Sequence, residues 1–180
     1  MKKPGNPQNI LARQWMQMAL LKLLEHTDLS EITISQLTKT AGVARVTFYR
    51  NYTDLNDILF DYLEMSEFGL ANSGAQKQYL PFFIRSYFVF CQQHCGLMEC
   101  IQKHNLSNRL STLLEDQLNS SVYLVISAYG FENPYEVSAL VGMFVKILTD
   151  WLRGGMKESI EEMVIIVYRI ISKFSCIDPL

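Results

Sequence analysis

Residues 32–59 constrain the fold of this chain more than any other stretch, and they read ITISQLTKTAGVARVTFYRNYTDLNDIL. Thr33 can cap a helix that places Ile34 and Leu37 on one apolar side. Gly42 is expected to end that helix, because glycine adopts a positive φ angle at low cost. The pattern therefore predicts two short helices joined by a tight turn, with another helix starting directly after them.

The second of these helices is expected to run from Arg45 to Tyr49 or Arg50. Its predicted side toward the first helix consists of Val43, Val46 and Phe48. The side chains that remain available for outside contacts are Arg45, Thr47, Tyr49 and Arg50. Two helices joined by a short turn that contains glycine form a helix-turn-helix, whose second helix enters the major groove of DNA.

This motif resembles the N-terminal domain of the TetR family of bacterial transcriptional regulators. The residues that carry the resemblance are Thr33-Ile34, Leu37, Ala41-Gly42-Val43, the run from Thr47 to Tyr52, and Ile58-Leu59. The resemblance implies an all-α fold of about nine helices, with a three-helix DNA-binding head and a helical body that binds ligand and dimerises. It also implies a ligand-responsive homodimer, most commonly a repressor, that binds a palindromic DNA operator.

Composition and charge agree with this organisation. Gly and Pro number only 9 and 5, and hydrophobic residues make up 49% of the chain, as in a mostly helical protein. We expect a flexible leader at residues 1–8, the helix-turn-helix domain at 9–54, and the effector-binding and dimerisation domain at 55–180. Residues 1–58 carry two more bases than acids, whereas 59–180 carry four more acids than bases, which suits a DNA-reading head on an acidic body.

Targeting signals are not expected. The polar stretch 5–9 argues against a signal peptide, and no run of about 20 apolar residues indicates a membrane span. A cytoplasmic location is therefore predicted.

Capping residues predict where the other helices begin. The first helix is expected from Asn9 to about residue 26, with an apolar side made of Ile10, Trp15, Met18, Ala19, Leu20, Leu23 and Leu24. Thr53-Asp54 can cap a helix that runs from Leu55 to about residue 70. The body is expected to contain helices at 79–94 and 97–103, one capped by Asn105 or Ser107 that ends near 129, one at 134–153, and one from a capping box at 159–162 to about 174.

The family resemblance implies which residues contact DNA. They are Thr33, Lys39, Ala44, Arg45, Val46, Thr47, Tyr49, Arg50 and Tyr52. By position, Arg45, Val46 and Thr47 would face base edges, and Arg45 can bind guanine through two hydrogen bonds. Tyr49 and Arg50 would contact phosphate or the packing of the helices.

Two positions depart from the family pattern. Ala44 stands where the family usually places a Ser that caps the recognition helix, so this helix is expected to lack a side-chain cap. Leu55 stands where the family usually places a Lys that binds phosphate. We expect the amide N–H groups that follow Thr53 to bind phosphate in its place, through the dipole of the helix.

The last two helices are apolar on most of their circumference, which requires burial on two sides. A symmetric dimer in which each subunit contributes two helices to a four-helix bundle would provide it. The expected interface residues are Val137, Leu140, Val141, Phe144, Leu148, Trp151, Met163, Val167, Ile170, Ile171 and Phe174. The segment 151–159 also resembles the WxxxGxxxS segment of one C-terminal subgroup of the family, in which these helices dimerise.

Aromatic and flexible side chains of the body are candidates for an effector pocket. They are Phe82, Phe83, Tyr87, Phe90, Met98, Tyr123 and Phe144. Such side chains suit a small apolar or aromatic effector, although ordinary helical core is the favoured interpretation of any single one of them. An alternative is a regulator of the same family whose body binds a protein partner, such as a co-activator.

Three cysteines and two histidines lie close together in the sequence: Cys91, His94, Cys95, Cys100 and His104. They contain no CxxC pair, so buried thiols are favoured over a zinc site or a redox sensor, and Cys176 is expected to have no role. No nucleophile–base pair stands out, and we expect neither an enzyme nor a metal or other cofactor.

Overall fold

The computed structural model describes residues 7–66, 80–120, 130–131 and 133–175. These residues form nine α-helices and no strand, which confirms the all-α fold. The first four helices are α1 (Pro7–Leu24), α2 (Ile34–Ala41), α3 (Arg45–Asn51) and α4 (Leu55–Ser66). The others are α5 (Leu80–Gln93), α6 (Cys95–Lys103), α7 (Ser107–Ser120), α8 (Pro134–Arg153) and α9 (Ile160–Ser175). None of the described helices is long and apolar enough to cross a membrane.

The chain divides into two compact units, residues 1–65 and 66–180. The expected boundary after residue 54 stays a prediction; α4 lies almost entirely in the first unit, where its Asp61 accepts hydrogen bonds from Arg13 and Gln17 of α1. At the other end, α1 begins at Pro7, so the last two residues of the expected leader are helical. We refer to residues 7–65 as the head and to the described residues from Ser66 onward as the body.

The predicted caps Thr33, Asn133 and Ser159 are confirmed, whereas Asn9 lies inside α1, which begins at Pro7. The Thr33 side chain accepts a hydrogen bond from the backbone N–H of Gln36, and the Gln36 side chain accepts one from the N–H of Thr33 at 2.8 Å. The same reciprocal pattern starts α8 at Asn133 and α9 at Ser159. These local bonds explain why the predicted starts of the helices agree with the observed ones.

The predicted packing side of α1 is wrong for Ile10, Trp15 and Met18, which are exposed. The side that packs consists of Ala12, Met16, Gln17, Ala19 and Leu20. Apolar residues surround most of α1, so their spacing alone does not select a side. The observed rotation turns the amide of Gln17 toward α4.

In the body, α9 packs on α5, and α8 packs on α7 and α6. Aromatic rings fill the space between α5 and α8. Phe144 contacts Phe83 and Tyr87 with ring centroids 5.7 and 5.2 Å apart, and Phe88 contacts Trp151 at 5.4 Å. All three pairs meet edge to face, which is a favoured geometry for aromatic pairs.

Most side chains predicted at the dimer interface are buried within a single chain. This holds for Val137, Leu140, Val141, Phe144, Leu148, Trp151, Met163, Val167 and Ile171. The prediction is wrong for these residues, because α5, α6 and α7 already cover the sides of α8 and α9 that carry them. Ile170 is half-buried, and the side chain of Phe174 lies outside the described part of the chain.

Candidate nucleic-acid interface

The turn between α2 and α3 has the backbone geometry that the sequence predicts. Gly42 adopts φ 67°, in the left-handed region, and its N–H donates to carbonyl oxygens of the last turn of α2. The N–H of Val43 donates to the carbonyl of Thr38 at 3.0 Å, which closes the turn. The fully buried ring of Phe48 then holds α3 in its contacts with α1 and α2. α3 is thus a short helix held by the Gly42 turn and by its contacts with α1 and α2.

The outward side of α3 combines two cationic and two amphipathic or apolar side chains. Arg45 and Arg50 are exposed, and Val46 and Tyr49 are 63% and 57% exposed. The prediction that Val46 faces the first helix is therefore wrong, and its predicted position toward base edges fits the observed exposure. Thr47 is half-buried. Guanidinium groups next to an exposed apolar side chain suit DNA, which offers phosphates, guanine edges and thymine methyl groups.

Arg45 and Tyr49 lie one turn apart on this outward side. The Arg45 Nη2 atom lies 3.4 Å from the Tyr49 hydroxyl oxygen, to which it donates a weak hydrogen bond. The contact places the guanidinium of Arg45 beside the Tyr49 side chain on the exposed side of α3.

The N-terminal end of α3 lacks a side-chain cap, as predicted. Ala44 occupies the cap position with φ −72° and ψ 147° and makes no side-chain hydrogen bond. At the other end, the Asn51 side-chain amide donates to the carbonyl of Thr47 at 2.8 Å. Only the C-terminal end of the recognition helix is thus stabilised by a side chain of its own.

Tyr52 is not at the surface, and its predicted role as a DNA contact is wrong. The residue is 7% exposed, and its hydroxyl donates to Asp61 Oδ2 at 2.5 Å. Burial, followed by the hydrogen bond to Asp61, raises the pKa of Tyr52 well above that of a free tyrosine. The hydroxyl therefore remains a proton donor throughout the physiological pH range.

Asp61 gathers further donors from α1. Gln17 Nε2 donates to Asp61 Oδ2 at 2.8 Å, Arg13 Nε donates to the same oxygen at 3.0 Å, and Arg13 Nη2 donates to Asp61 Oδ1. We call Arg13, Gln17, Tyr52 and Asp61 the Asp61 cluster. The cluster was not predicted from the sequence, although an acid inside the apolar run ILFDYL indicates a buried charge that needs partners.

The N-terminal end of α4 is more acidic than expected. The N–H of Asp54 donates to Asp57 Oδ2 at 3.4 Å, and the N–H of Asp57 donates to Asp54 Oδ1 at 3.0 Å. These amides are already satisfied by carboxylates, which also repel phosphate. The expectation that they replace the family's Lys is therefore wrong for these two groups, and the half-buried Leu55 adds no charge.

Thr33 and Lys39 are exposed on α2 and its cap. The Thr33 hydroxyl accepts from the backbone N–H of Gln36 at 3.2 Å and donates to Gln36 Oε1 at 2.7 Å, so it caps α2 while facing solvent. Both residues remain predicted contacts to the DNA backbone.

The predicted effector-pocket residues are mostly interior. Phe83, Tyr87, Phe90, Met98 and Phe144 are buried, Phe82 is half-buried, and Tyr123 lies outside the described residues. A separate open groove of about 350 Å³ is lined by Ile147, Asp150, Trp151, Gly154, Lys157, Glu158, Met163 and Ile166. The groove shares no residue with the predicted pocket, whose role in binding a ligand remains a prediction.

The cysteines pack as buried or half-buried thiols. Burial raises the pKa of Cys91, which keeps its thiol neutral. Cys100 is buried and Cys95 is half-buried. Within the described residues, no three side chains of His, Cys, Asp or Glu come together as a metal site. Cys176 lies outside them.

Comparison with known proteins identifies a protein family whose model matches this chain. The TetR-type family model described as "Transcriptional regulator C-terminal region" matches residues 81–173, which is more than half of the chain. Among curated protein sequences, none matches significantly.

Three solved structures share the fold. The dihydroxyacetone kinase operon activator DhaS aligns with a TM-score of 0.67 and 15% identity, over 90% of this chain and 94% of that one. The fatty acid degradation regulator FadR from Bacillus halodurans aligns with a TM-score of 0.63 and 16% identity, over 94% and 96%. A TetR transcriptional regulator from Rhodococcus sp. RHA1 aligns with a TM-score of 0.60 and 14% identity, over 96% and 100%.

Proposed function

Because the chain belongs to the TetR family of transcriptional regulators, we propose that it is a ligand-responsive repressor that binds a palindromic DNA operator as a homodimer. The observation that carries the DNA-binding part is the outward side of α3. It exposes Arg45, Val46, Tyr49 and Arg50 on a helix that Phe48 and the Gly42 turn hold in place. Such a regulator acts on chromosomal DNA, so we also propose a cytoplasmic location.

The proposed contacts divide into two kinds. Arg45, Val46 and Thr47 face base edges, where Arg45 suits guanine and Val46 suits the methyl group of thymine. The residues proposed to position the head on the DNA backbone are Thr33, Lys39, Tyr49 and Arg50, with the exposed N-terminal end of α3 at Ala44. This assignment follows from the exposure of these groups and from the absence of a side-chain cap at Ala44.

The dimer is proposed to form through the exposed sides of α8 and α9. On α9, Ile165 and Ile166 are exposed although they are large and apolar. On α8, exposed Ala139 and Gly142 have small side chains that allow two helices to approach closely. Two heads related by twofold symmetry explain why a palindromic operator is the expected target.

The body is proposed to bind a small apolar or aromatic effector among the aromatic side chains between α5 and α8. Phe83, Tyr87 and Phe144 contact one another there, so an effector must occupy space at their margin or separate the rings. An effector releases DNA only to the extent that it binds the DNA-free conformation more tightly than the DNA-bound one. Its chemistry therefore has to favour a conformation with a different spacing of the two heads.

Repression is proposed as the usual outcome in this family. One of the proteins with a similar fold is described as an operon activator. Whether this chain represses or activates transcription is therefore a separate question for experiment. A reporter gene placed behind the selected operator answers it, because deleting this regulator raises expression if it represses and lowers expression if it activates.

Selection of duplexes from a random DNA library tests the proposed function as a whole. The full-length chain should enrich an inverted repeat whose half-sites present successive major grooves, roughly 10 base pairs apart. Enrichment of no sequence, or of a motif without twofold symmetry, would contradict the proposal. Matched selection with the Arg45→Ala variant should lose the guanine preference at one position of each half-site.

A further inference from the structure

The Asp61 cluster lies inside the head and has no part in the DNA contacts proposed above. Asp61, Tyr52 and Gln17 are 8%, 7% and 4% exposed, so a carboxylate is surrounded by donors away from solvent. Three separate groups donate to it: the Tyr52 hydroxyl, the Gln17 amide and the Arg13 guanidinium. A buried carboxylate with this many partners is fully satisfied, and its geometry is fixed by directional bonds.

The cluster joins three helices at one point. Arg13 and Gln17 belong to α1, and Asp61 belongs to α4. Tyr52 directly follows α3, and its N–H donates to the carbonyl of Phe48 at 2.9 Å, which ends that helix. The Tyr52 hydroxyl, through Asp61, thus ties the C-terminal end of α3 to α4 and α1.

Packing and hydrogen bonding act differently on α3. The buried ring of Phe48, whose centroid lies 6.1 Å from that of Tyr52, supplies apolar contact that tolerates small rotations. The 2.5 Å bond from Tyr52 to Asp61 is directional, so a rotation of α3 that moves the hydroxyl breaks it. The bond therefore selects one orientation among those that apolar packing allows.

The cluster also reaches the end of the head. Gln17 Nε2, which donates to Asp61, lies 3.3 Å from the sulfur of Met65. Met65 is the last residue of the first compact unit, and the chain continues from it into the body. Gln17 thus links Asp61 to the next turn of α4, at the C-terminal end of the head.

We propose that Asp61, acting through the Tyr52 hydroxyl, is a positioning residue for base recognition that sets the orientation of α3 against α1 and α4. The inference rests on the proposed DNA-binding function of α3. Asp61 touches no DNA, so its loss affects the contacts that need accurate orientation more than those that need only positive charge. Base contacts are of the first kind, and phosphate contacts are of the second.

The test compares specific with non-specific affinity. Fluorescence anisotropy measures binding of the full-length wild-type chain, Tyr52→Phe and Asp61→Asn to the duplex selected by the wild-type chain and to a scrambled duplex of equal length. Tyr52→Phe removes only the hydroxyl and keeps the ring against Phe48, and Asp61→Asn keeps an acceptor oxygen. Both variants should lower the ratio of specific to non-specific affinity by roughly tenfold, on the order of one mismatched base pair. Affinity for the scrambled duplex should change by less than about twofold.

Ile58→Val is the matched control, because it removes one methylene group from a fully buried side chain of the same helix. A variant that only unfolds part of the population loses specific and non-specific affinity together, so Ile58→Val should leave the ratio unchanged. An unchanged ratio in Tyr52→Phe would overturn the inference while leaving the proposed function intact. A wild-type chain that does not discriminate between the two duplexes would overturn the proposed function, and this inference with it.

Discussion

At the level of single residues, Ala44 leaves the recognition helix without a side-chain cap. Its backbone has the extended φ and ψ angles that a capping serine requires. Ala44→Ser should therefore stabilise the protein by about 0.5–2 kcal/mol, because the new hydroxyl can accept a hydrogen bond from an amide of the first turn. Urea unfolding followed by circular dichroism measures the change.

Gln14→Ser is the control for this substitution, since Gln14 is exposed in the middle of α1, where a hydroxyl caps nothing. It should leave stability unchanged or lower it slightly. Equal effects of the two serines would show that the gain at Ala44 does not come from capping.

The sequence predicts single residues well where one side of a short helix must be apolar. The exposure of Tyr49 and Arg50 follows from the burial of Phe48, because residues one and two positions further along a helix point away from it. Tyr52 was misassigned because its amphipathic ring suits a DNA surface and a polar interior equally well. Only the position of Asp61 in three dimensions decides between them, and that position depends on how α4 packs.

At the level of elements, the N-terminal end of α4 has an acidic cap and lacks the basic residue that is usual in the family. Asp54 and Asp57 accept hydrogen bonds from the first amides, and Leu55 replaces the basic residue usual in the family. Leu55→Lys should increase operator affinity by up to about tenfold at 0.1 M salt and steepen the salt dependence by about one counterion. Anisotropy titrations at several salt concentrations measure both quantities.

Leu55→Gln separates charge from the loss of a half-buried leucine. It should not change the salt dependence. If Leu55→Lys leaves the slope equal to that of Leu55→Gln, then this end of α4 lies away from the phosphates.

Helix boundaries were predictable because capping is local. The starts at Ile34, Pro134 and Ile160 follow from side chains within three residues of each one. The packing side of α1 was not predictable, because apolar residues surround that helix. Its rotation is decided by the partners available to Gln17 and Arg13, which lie more than 40 residues away in sequence.

At the level of the whole molecule, the dimer surface proposed here differs from the one that the sequence suggested. A helix that is apolar on most of its circumference places some of its apolar side chains in the interior of its own chain. The others are available for contact with a second chain. The structure places Met163 and Val167 inside and leaves Ile165 and Ile166 exposed. Spacing alone could not make that division, because it depends on where α5 packs against α9.

The double substitution Ile165→Glu with Ile166→Glu should convert the proposed dimer into monomers. Two carboxylates in an apolar contact between subunits lose hydration without gaining partners. Sedimentation velocity at micromolar concentration measures the result. Met18→Glu is the control, because Met18 is an exposed apolar residue of the head. A doubly substituted chain that still sediments as a dimer would place the interface elsewhere.

The central claim is that the outward side of α3 reads DNA, and the double substitution Arg45→Ala with Tyr49→Ala tests it most directly. Both side chains are exposed and contact each other, so their removal leaves the packing of the head unchanged. Titration of the selected operator at physiological salt should show binding reduced at least about 100-fold, as expected for the loss of a bidentate base contact and its neighbour. Sedimentation should show an unchanged oligomeric state. Retention of wild-type operator affinity by the doubly substituted chain would contradict the assignment of α3 as the recognition helix.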